Sequence, residues 1–286
     1  ENKIVLLCAQ LFNKLSYYVK GRELMVAKSG AMQALFNIFD VGDEEAKIIS
    51  ARTCANMVLC DKVRAKSIEY GALAYLDKGI QLNDEPASRQ CVKAVFASTY
   101  STDFRVALSS SSLPMTLVSV ALQDHDERYD YAVKILCNCA YDLKSRVYVV
   151  ELVKLICRNL KADLAPYLSQ TVCLLTYGYS NPYELVSCNI NSALDVLTHC
   201  DCPDGCVTRY VVSTIRAICE ESLESIPILA TPESIAIMKR ACVNESDNTN
   251  CMYNVASTIY IFSQYSDKIR AKTAVPDLLY IFDTLA

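Results

Sequence analysis

The segment Asp61-Lys-Val-Arg-Ala-Lys-Ser67 returns as Asp267-Lys-Ile-Arg-Ala-Lys-Thr273, 206 residues further on, and five periods of about 41 residues fill the interval. Two landmarks keep that period between the copies. Apolar segments that open like helices begin at Gly30-Ala-Met, Gly71-Ala-Leu, Ser112-Leu-Pro, Val150-Glu-Leu, Asn191-Ser-Ala, Thr231-Pro-Glu and Thr273-Ala-Val, at spacings of 41, 41, 38, 41, 40 and 42 residues. Between them lie longer apolar segments aligned on Leu11, Ala55, Ala94, Ile135, Leu174, Thr214 and Thr258, at spacings of 44, 39, 41, 39, 40 and 44 residues. Such a chain stacks similar helical units, because one unit of this size cannot bury its own apolar face and completes its core against its neighbours.

An acidic residue recurs ahead of the longer segments, at Asp43, Asp84, Asp126, Asp163, Asp204 and Asp247. Aspartate in that place reads as a helix N-cap, since its carboxylate accepts hydrogen bonds from first-turn amides and meets the positive end of the helix dipole. Each unit is therefore expected to hold a short first helix, a second helix, an Asp-bearing loop and a long third helix. Seven glycines, eight prolines and no tryptophan in 286 residues favour helices with economical turns over a sandwich or barrel.

At Ser29-Gly-Ala-Met and Tyr70-Gly-Ala-Leu, which open second helices, the sequence resembles the armadillo repeat family. The same holds for Ala55-Asn-Met-Val-Leu-Cys60 and Ile135-Leu-Cys-Asn-Cys-Ala140 within third helices. The resemblance covers the whole chain and implies an all-α, right-handed α-solenoid of three-helix repeats. HEAT-like repeats, with two helices per unit, are the alternative; the Gly-Ala-Leu turns and the additional short helix favour the armadillo type. One solenoid over 1–286 is expected, with repeats at 1–20 (partial), 21–60, 61–101, 102–141, 142–180, 181–220, 221–264 and 265–286 (partial). It opens inside a third helix (Ile4 to Tyr18) and closes after a second (Leu278 to Leu285), and neither end looks like the polar cap of a solenoid, so a longer array is expected.

With 52% apolar residues the chain has ample material for a core, and no apolar run reaches the roughly 18 to 20 residues that span a bilayer. A formal charge of −4 and a pI near 5.4 give no global basic field, which disfavours nucleic acid or an anionic membrane as the main partner. The fifteen cysteines have no framework spacing. Most, among them Cys54, Cys137, Cys173 and Cys219, sit within apolar helical patterns, where free Cys acts as a small buried hydrophobe, so an intracellular, reducing location is expected.

The armadillo resemblance implies that the third helices line a concave groove that takes an extended or helical partner segment. Many members carry a ladder of groove asparagines there. In this sequence those slots align with Lys14, Val58, Ala97, Asn138, Tyr177, Ala217 and Ile261, so Asn138 alone keeps the asparagine, and reading of nuclear localisation signals is not expected. One and two turns earlier lie Lys93, Lys134, Ser213, Arg89 and Arg209. Arg89 and Lys93 share a helical face at i,i+4, and Lys134 with Asn138 should lie beside them on the next repeat. The expected groove therefore comprises Arg89, Lys93, Lys134, Asn138, Tyr177, Arg209 and Ser213, and a partner of acidic character would suit it. Tyr177 and Tyr179 close a third helix, where they serve as groove or as ridge residues.

Enzymatic signatures are missing: there is no phosphate-binding glycine loop, no Gly-x-Ser-x-Gly elbow and no pair of metal-binding histidines, with only His125 and His199 in the chain. His199-Cys-Asp-Cys-Pro-Asp-Gly-Cys206 is dense in zinc-type ligands. Its place between a second and a third helix, with Asp204 at the cap position, explains it as a connector. No metal or other cofactor is expected; the alternative is a zinc site of Cys200, Cys202 and Cys206 with Cys188 as the fourth ligand. The expected function is a non-catalytic scaffold or adaptor for a protein partner. Alternatives are a fixed part of a cytoskeletal or ciliary assembly and a chaperone of motor proteins.

Overall fold

The computed structural model describes residues 2–123, 127–140, 149–177, 182–200 and 206–265, together with 267, 280, 281, 283 and 284. Among the described residues the ordered elements are helices, and the chain divides into two compact units, Glu1–Lys144 and Ser145–Ala286.

The first unit opens with α1 (Asn2–Ser16) and continues in triplets of short, second and long third helix. These are α2 (Val19–Ala27), α3 (Ser29–Val41) and α4 (Glu44–Val58); α5 (Asp61–Glu69), α6 (Ala72–Ile80) and α7 (Glu85–Ser98); α8 (Thr102–Ser109), α9 (Leu113–Gln123) and α10 (Glu127–Cys139). The second unit holds α11 (Val149–Asn159) and α12 (Ala165–Thr176), then α13 (Pro182–Ser187), α14 (Ile190–Thr198) and α15 (Cys206–Glu221), then α16 (Ile226–Leu229), α17 (Pro232–Asn244) and α18 (Thr249–Tyr265). Each second helix from α3 to α17 begins within two residues of its expected start, and each expected third-helix anchor falls inside a long helix.

Two of the expected caps hold as drawn: Asp43 accepts from the Ala46 amide at 3.0 Å and Asp84 from the Ala87 amide at 2.7 Å. Two others differ. Asp163 sits in a 3-10 turn (Ala162–Leu164) ahead of α12, whose N-cap is Leu164 with no side-chain bond. At α18 the cap is Asn248, which accepts from the Cys251 amide at 3.1 Å, one residue beyond Asp247. Asp and Asn are near-equal caps, so the sequence did not discriminate between neighbours. Asp126 and Asp204 lie outside the described residues, as does most of the second heptapeptide copy.

Within each unit successive third helices pack side by side. Small residues on the seam permit a close approach: Ala46, Ala51, Cys54, Ala55, Cys91 and Ala94 are buried. A methyl group at Gly79 would stand 2.9 Å from Cys91 Sγ and 3.0 Å from Ala51 Cβ. The abundance of cysteine thus has a packing role, with Cys54, Cys137, Cys173 and Cys219 buried as expected. Large side chains such as Met32, Leu35, Leu76, Leu117 and Tyr129 fill the space behind them.

Polar bonds set the register. Thr53 Oγ1 reaches Asn13 at 3.5 Å, Cys91 Sγ reaches the Ala51 carbonyl at 3.8 Å and Arg128 reaches Ser88 Oγ at 3.2 Å, each across 40 residues. Between α15 and α18, Asn254 meets Ser213 across 41 residues. The two steps of 44 residues aligned from sequence, at Leu11 to Ala55 and at Thr214 to Thr258, are therefore one helical turn too long. By the same offsets of 40 and 41 residues, Val58 and Ala217 align with Tyr18 and Thr258 rather than with Lys14 and Ile261. A slip of four residues nearly preserves the helical face, and so is invisible to a periodic pattern.

A three-way junction recurs where third helices end. The Ser16 carbonyl accepts from Arg22 at 2.7 Å, the Val58 carbonyl from Arg64 Nε at 2.6 Å and the Thr99 carbonyl from Arg105 at 2.9 Å. Each arginine comes from the following short helix and brings positive charge to the negative end of the helix dipole. At the same three places the next third helix adds a bond: Asn56 to Ser16 Oγ at 2.9 Å, Ser98 to the Val58 carbonyl at 3.1 Å and Asn138 to Thr99 Oγ1 at 2.8 Å. Gly21 is needed at the first junction, because a Cβ there would lie 2.1 Å from the Leu15 carbonyl oxygen. The heptapeptide that reveals the repeat contains one of these arginines, Arg64, held also by Asp61 at 2.6 Å.

Replacing Arg64 by Met removes a charged hydrogen bond from a mostly buried site. Urea unfolding should show a loss of about 1.5–3 kcal/mol. Lys62→Met on the same helix, whose amine lies 3.4 Å from Glu23 at the surface, should cost less than about 1 kcal/mol. Equal losses would reject the junction role.

Candidate functional site

The third helices present an exposed edge in each unit. In the first unit α7 carries Arg89 and Lys93 on one face, and the start of α10 faces them with Glu127. Lys93 Nζ lies 2.8 Å from Glu127 and an Arg89 nitrogen lies 3.7 Å from it, while Arg89 also pairs with Glu85 on its own helix. Tyr131 donates to Glu127 at 3.3 Å, and the Lys93 amine stands 5.5 Å from the centre of its ring. The Lys93 bond, ahead of the opposing effect of burial, holds the Glu127 carboxyl below the usual carboxylate range. Arg89 and Lys93 of the expected basic patch are therefore already paired within the chain, by Glu85 of α7 and by Glu127 at the start of α10.

Asn138 stands apart from that cluster. It lies 11 residues along α10 from Glu127, roughly 16 Å at 1.5 Å per residue, and donates its amide to Thr99. It is a junction residue, lining with Thr99, Tyr100 and Arg105 a shallow cavity of about 300 Å³. Lys134 lies half-buried between the two, engaged within the chain. The structure thus does not gather Arg89, Lys93, Lys134 and Asn138 into one open patch.

In the second unit the expected residues do come together. Tyr177 caps the end of α12 and lies against Ser213 and Arg216 of α15. Burial, and then the nearby Cys173, pushes its hydroxyl above the ordinary tyrosine range. Ser213 donates to the Arg209 carbonyl at 3.0 Å and accepts from Asn254 Nδ2 of α18 at 2.7 Å. Asn254 in turn accepts from Arg216 at 2.6 Å, and Arg216 Nε donates to Glu220 at 2.7 Å. The Arg216 guanidinium stacks 4.7 Å from the centre of the Tyr253 ring. Arg209 reaches Glu245 at 3.8 Å.

Arg209, Ser213, Arg216 and Glu220 fall on one face of α15, so Arg216 and Glu220 were legible from helical spacing. Asn254 and Tyr253 were not, because the alignment that would have placed them was a turn out of register. Around this bonded strip stand tyrosines that the fold leaves open: Tyr177 is 42% exposed, Tyr253 60%, Tyr260 64% and Tyr265 40%. Tyr260 and Tyr265 also line, with Leu223, Ile226, Ile261 and Gln264, an apolar groove of about 450 Å³. Tyr179 lies outside the described residues.

No group of three metal-ligating side chains gathers among the described residues. Cys202 and the rest of the 201–205 connector lie outside them; His199, at the end of α14, turns its ring to the Asp195 carbonyl at 2.8 Å, and Cys200 Sγ points to the Val196 carbonyl at 3.6 Å. His125 is likewise outside. Burial pushes the thiols of Cys91 and Cys219 up to about 12 and that of Cys173 to about 11, which leaves them protonated and unreactive at neutral pH. No single described helix is long and apolar enough to cross a membrane.

No protein-family model matches the chain, and no curated protein matches its sequence. Among solved structures, the crystal structure of an engineered protein matches with a TM-score of 0.56 at 15% identity, over 97% of this chain and 73% of that one. A likeness at that identity concerns the fold alone, an all-helical repeat architecture.

Two measurements probe these contacts. The Glu127 carboxylate contributes stability that is present at neutral pH and is lost as the pH falls through its depressed pKa. Carbon-13 NMR should place its midpoint below 4.5, and Lys93→Met should move it upward; an unmoved midpoint would remove the pairing. Asn254→Ala leaves Ser213 and Arg216 without their shared partner and should cost about 1–3 kcal/mol in urea unfolding.

Proposed function

We propose that the chain is a non-catalytic protein-interaction module, a right-handed solenoid of armadillo-type repeats that takes a partner segment along its third helices, with the α12, α15 and α18 face as the main contact. The observation that carries this reading is the set of open tyrosines, Tyr177, Tyr253, Tyr260 and Tyr265, around a guanidinium fixed by Asn254 and Glu220. Tyr and Arg are over-represented at interface centres because they bring large contact area with a polar handle and little ordering cost. Side chains held in place before binding lose less entropy when a partner arrives. Three helices per repeat, in place of two, support the armadillo type over the HEAT type.

The partner is a protein segment, extended or helical, with apolar side chains for the groove beside Tyr260; Arg216, bonded to Glu220 and Asn254, holds the Tyr253 ring in place for it. Arg89 and Lys93 contribute less than their charge suggests, since an incoming carboxylate would have to displace Glu127. The fourteen free thiols among the described residues, many of them buried, suit a reducing intracellular setting.

Affinity capture from cells with the wild-type chain, the Tyr253→Ala/Tyr260→Ala variant and Arg216→Ala tests the contact. Proteins bound by the wild type should fall by about tenfold or more in both variants, with melting of the tyrosine variant unchanged. Undiminished capture would reject this face.

A further inference from the structure

The junction arginines carry a second regularity. Five residues ahead of Arg22, Arg64, Arg105, Arg146 and Arg270 stand Tyr17, Leu59, Tyr100, Tyr141 and Tyr265, a tyrosine in four cases of five. In the first unit three of these positions are equivalent in structure: each directly follows the residue whose carbonyl accepts the arginine, Ser16, Val58 or Thr99. The arginine recurs for a structural reason. The ring does not, since Tyr17 is 62% exposed, Leu59 43% and Tyr100 72%. The ends of the sequence do not create this exposure at the two inner positions: α4 packs between α1 and α7, and α7 between α4 and α10, so Leu59 and Tyr100 stay open with both neighbouring third helices in place. A single exposed ring needs no explanation, but one kept at the repeat period does.

The rings are held ready by residues one turn earlier. Phe96 of α7 meets Tyr100 edge-on at 5.7 Å and packs in turn against Tyr131 of α10 at 5.2 Å. Asn13 of α1 donates to the Tyr17 hydroxyl at 3.4 Å, which leaves the proton of that hydroxyl for another acceptor. The Tyr100 hydroxyl has no hydrogen-bond partner among the described residues, and the residue walls the shallow cavity of about 300 Å³ that Thr99, Arg105 and Asn138 complete. Aromatic rings fixed before binding bring contact area at little ordering cost.

Spacing and charge select the occupant. Packed helices lie about 8–10 Å apart, which sets the step from one ring of the row to the next. A polyproline II segment repeats every three residues, about 9.3 Å, so one side of it offers a prolyl or aliphatic side chain to each ring in turn. Its carbonyls make no internal hydrogen bonds and can accept from tyrosine hydroxyls, whereas those inside an α-helix are already bonded. The cations beside the two inner positions are engaged within the chain: Arg64 with the Val58 carbonyl and Asp61, Lys62 with Glu23, Arg105 with the Thr99 carbonyl and Thr102. An uncharged segment therefore matches the row better than an acidic one. Within the 286 residues no two prolines stand closer than five positions apart, so a second copy of this sequence does not supply such a segment. We infer that the rim formed by Tyr17, Leu59 and Tyr100 at the ends of α1, α4 and α7 docks an uncharged, proline-rich segment of a partner protein in the polyproline II conformation. The rim shares no residue with the α12, α15 and α18 contact, and either can fail without the other.

The test uses the full chain and two fluorescein-labelled peptides of about twelve residues, four polyproline II turns, one a repeat of Pro-Pro-Leu and the other of Gly-Gly-Leu. Fluorescence anisotropy should show the proline peptide binding about tenfold or more tighter than the glycine peptide, whose backbone must first be ordered, with little change as salt is added. Tyr17→Ala/Tyr100→Ala should weaken binding by about tenfold or more, and Leu59→Tyr, which completes the row of rings, should tighten it severalfold. Both variants should keep the wild-type melting curve, because the altered side chains are exposed. Absence of binding, equal binding of the two peptides, an affinity that collapses with salt, or binding that neither variant alters would overturn the docking site.

Discussion

Everything in this protein depends on how closely one third helix can lie against the third helix of the preceding repeat. The apolar area buried at that seam supplies the main favourable term, and it is available only if the backbones approach. Alanine and cysteine make the approach possible, and Gly79 of α6 fits against Cys91 and Ala51 of two adjacent third helices with no room for a Cβ. A larger residue at any of these places would push two helices apart and open the seam along its length. The cysteine content is a consequence of this packing rather than a sign of disulfide or metal chemistry among the described residues.

Close packing leaves a polar difficulty at the ends of the helices, where carbonyls have no intrahelical partner. In the first unit the same solution appears three times: an arginine from the next short helix and a polar side chain from the next third helix converge on Ser16, Val58 and Thr99. These bonds are directional and the seam is not, so they fix which turn faces which. The arginines at 22, 64 and 105 recur at the repeat period, and Arg146 and Arg270 continue the series in the sequence. That series was open to a reader of the sequence, and it was missed because charged residues are ordinarily taken as surface decoration.

The proposed contact surface follows from what the stack leaves over. Where a neighbouring helix brings a complementary charge, as Glu127 does, a promising patch is consumed by the fold itself. Where the stack offers more aromatic surface than it can cover, as along α15 and α18, an anchored strip of open tyrosines remains, and this is the contact proposed for a partner segment. Residues of the same type tie different places: Asn138 holds a junction at the end of a third helix, and Asn254 holds the Ser213 and Arg216 side chains beside open tyrosines.

The sequence by itself determined the period, the all-helical class, the three-helix unit, the starts of the second helices to within two residues and the presence of a long helix at each third-helix anchor. These are local properties, carried by apolar spacing, turn residues and caps. The tertiary structure decided the register between third helices, the pairing of Arg89 and Lys93 with Glu127, the role of Asn138 and the grouping of Tyr177, Ser213, Arg216, Tyr253 and Asn254. Helical periodicity nearly repeats after four residues, so a one-turn slip leaves the hydrophobic pattern intact and only contacts between helices can exclude it. Whether a charge is free or spent depends on residues about forty positions away, a distance over which the sequence carries composition but not geometry.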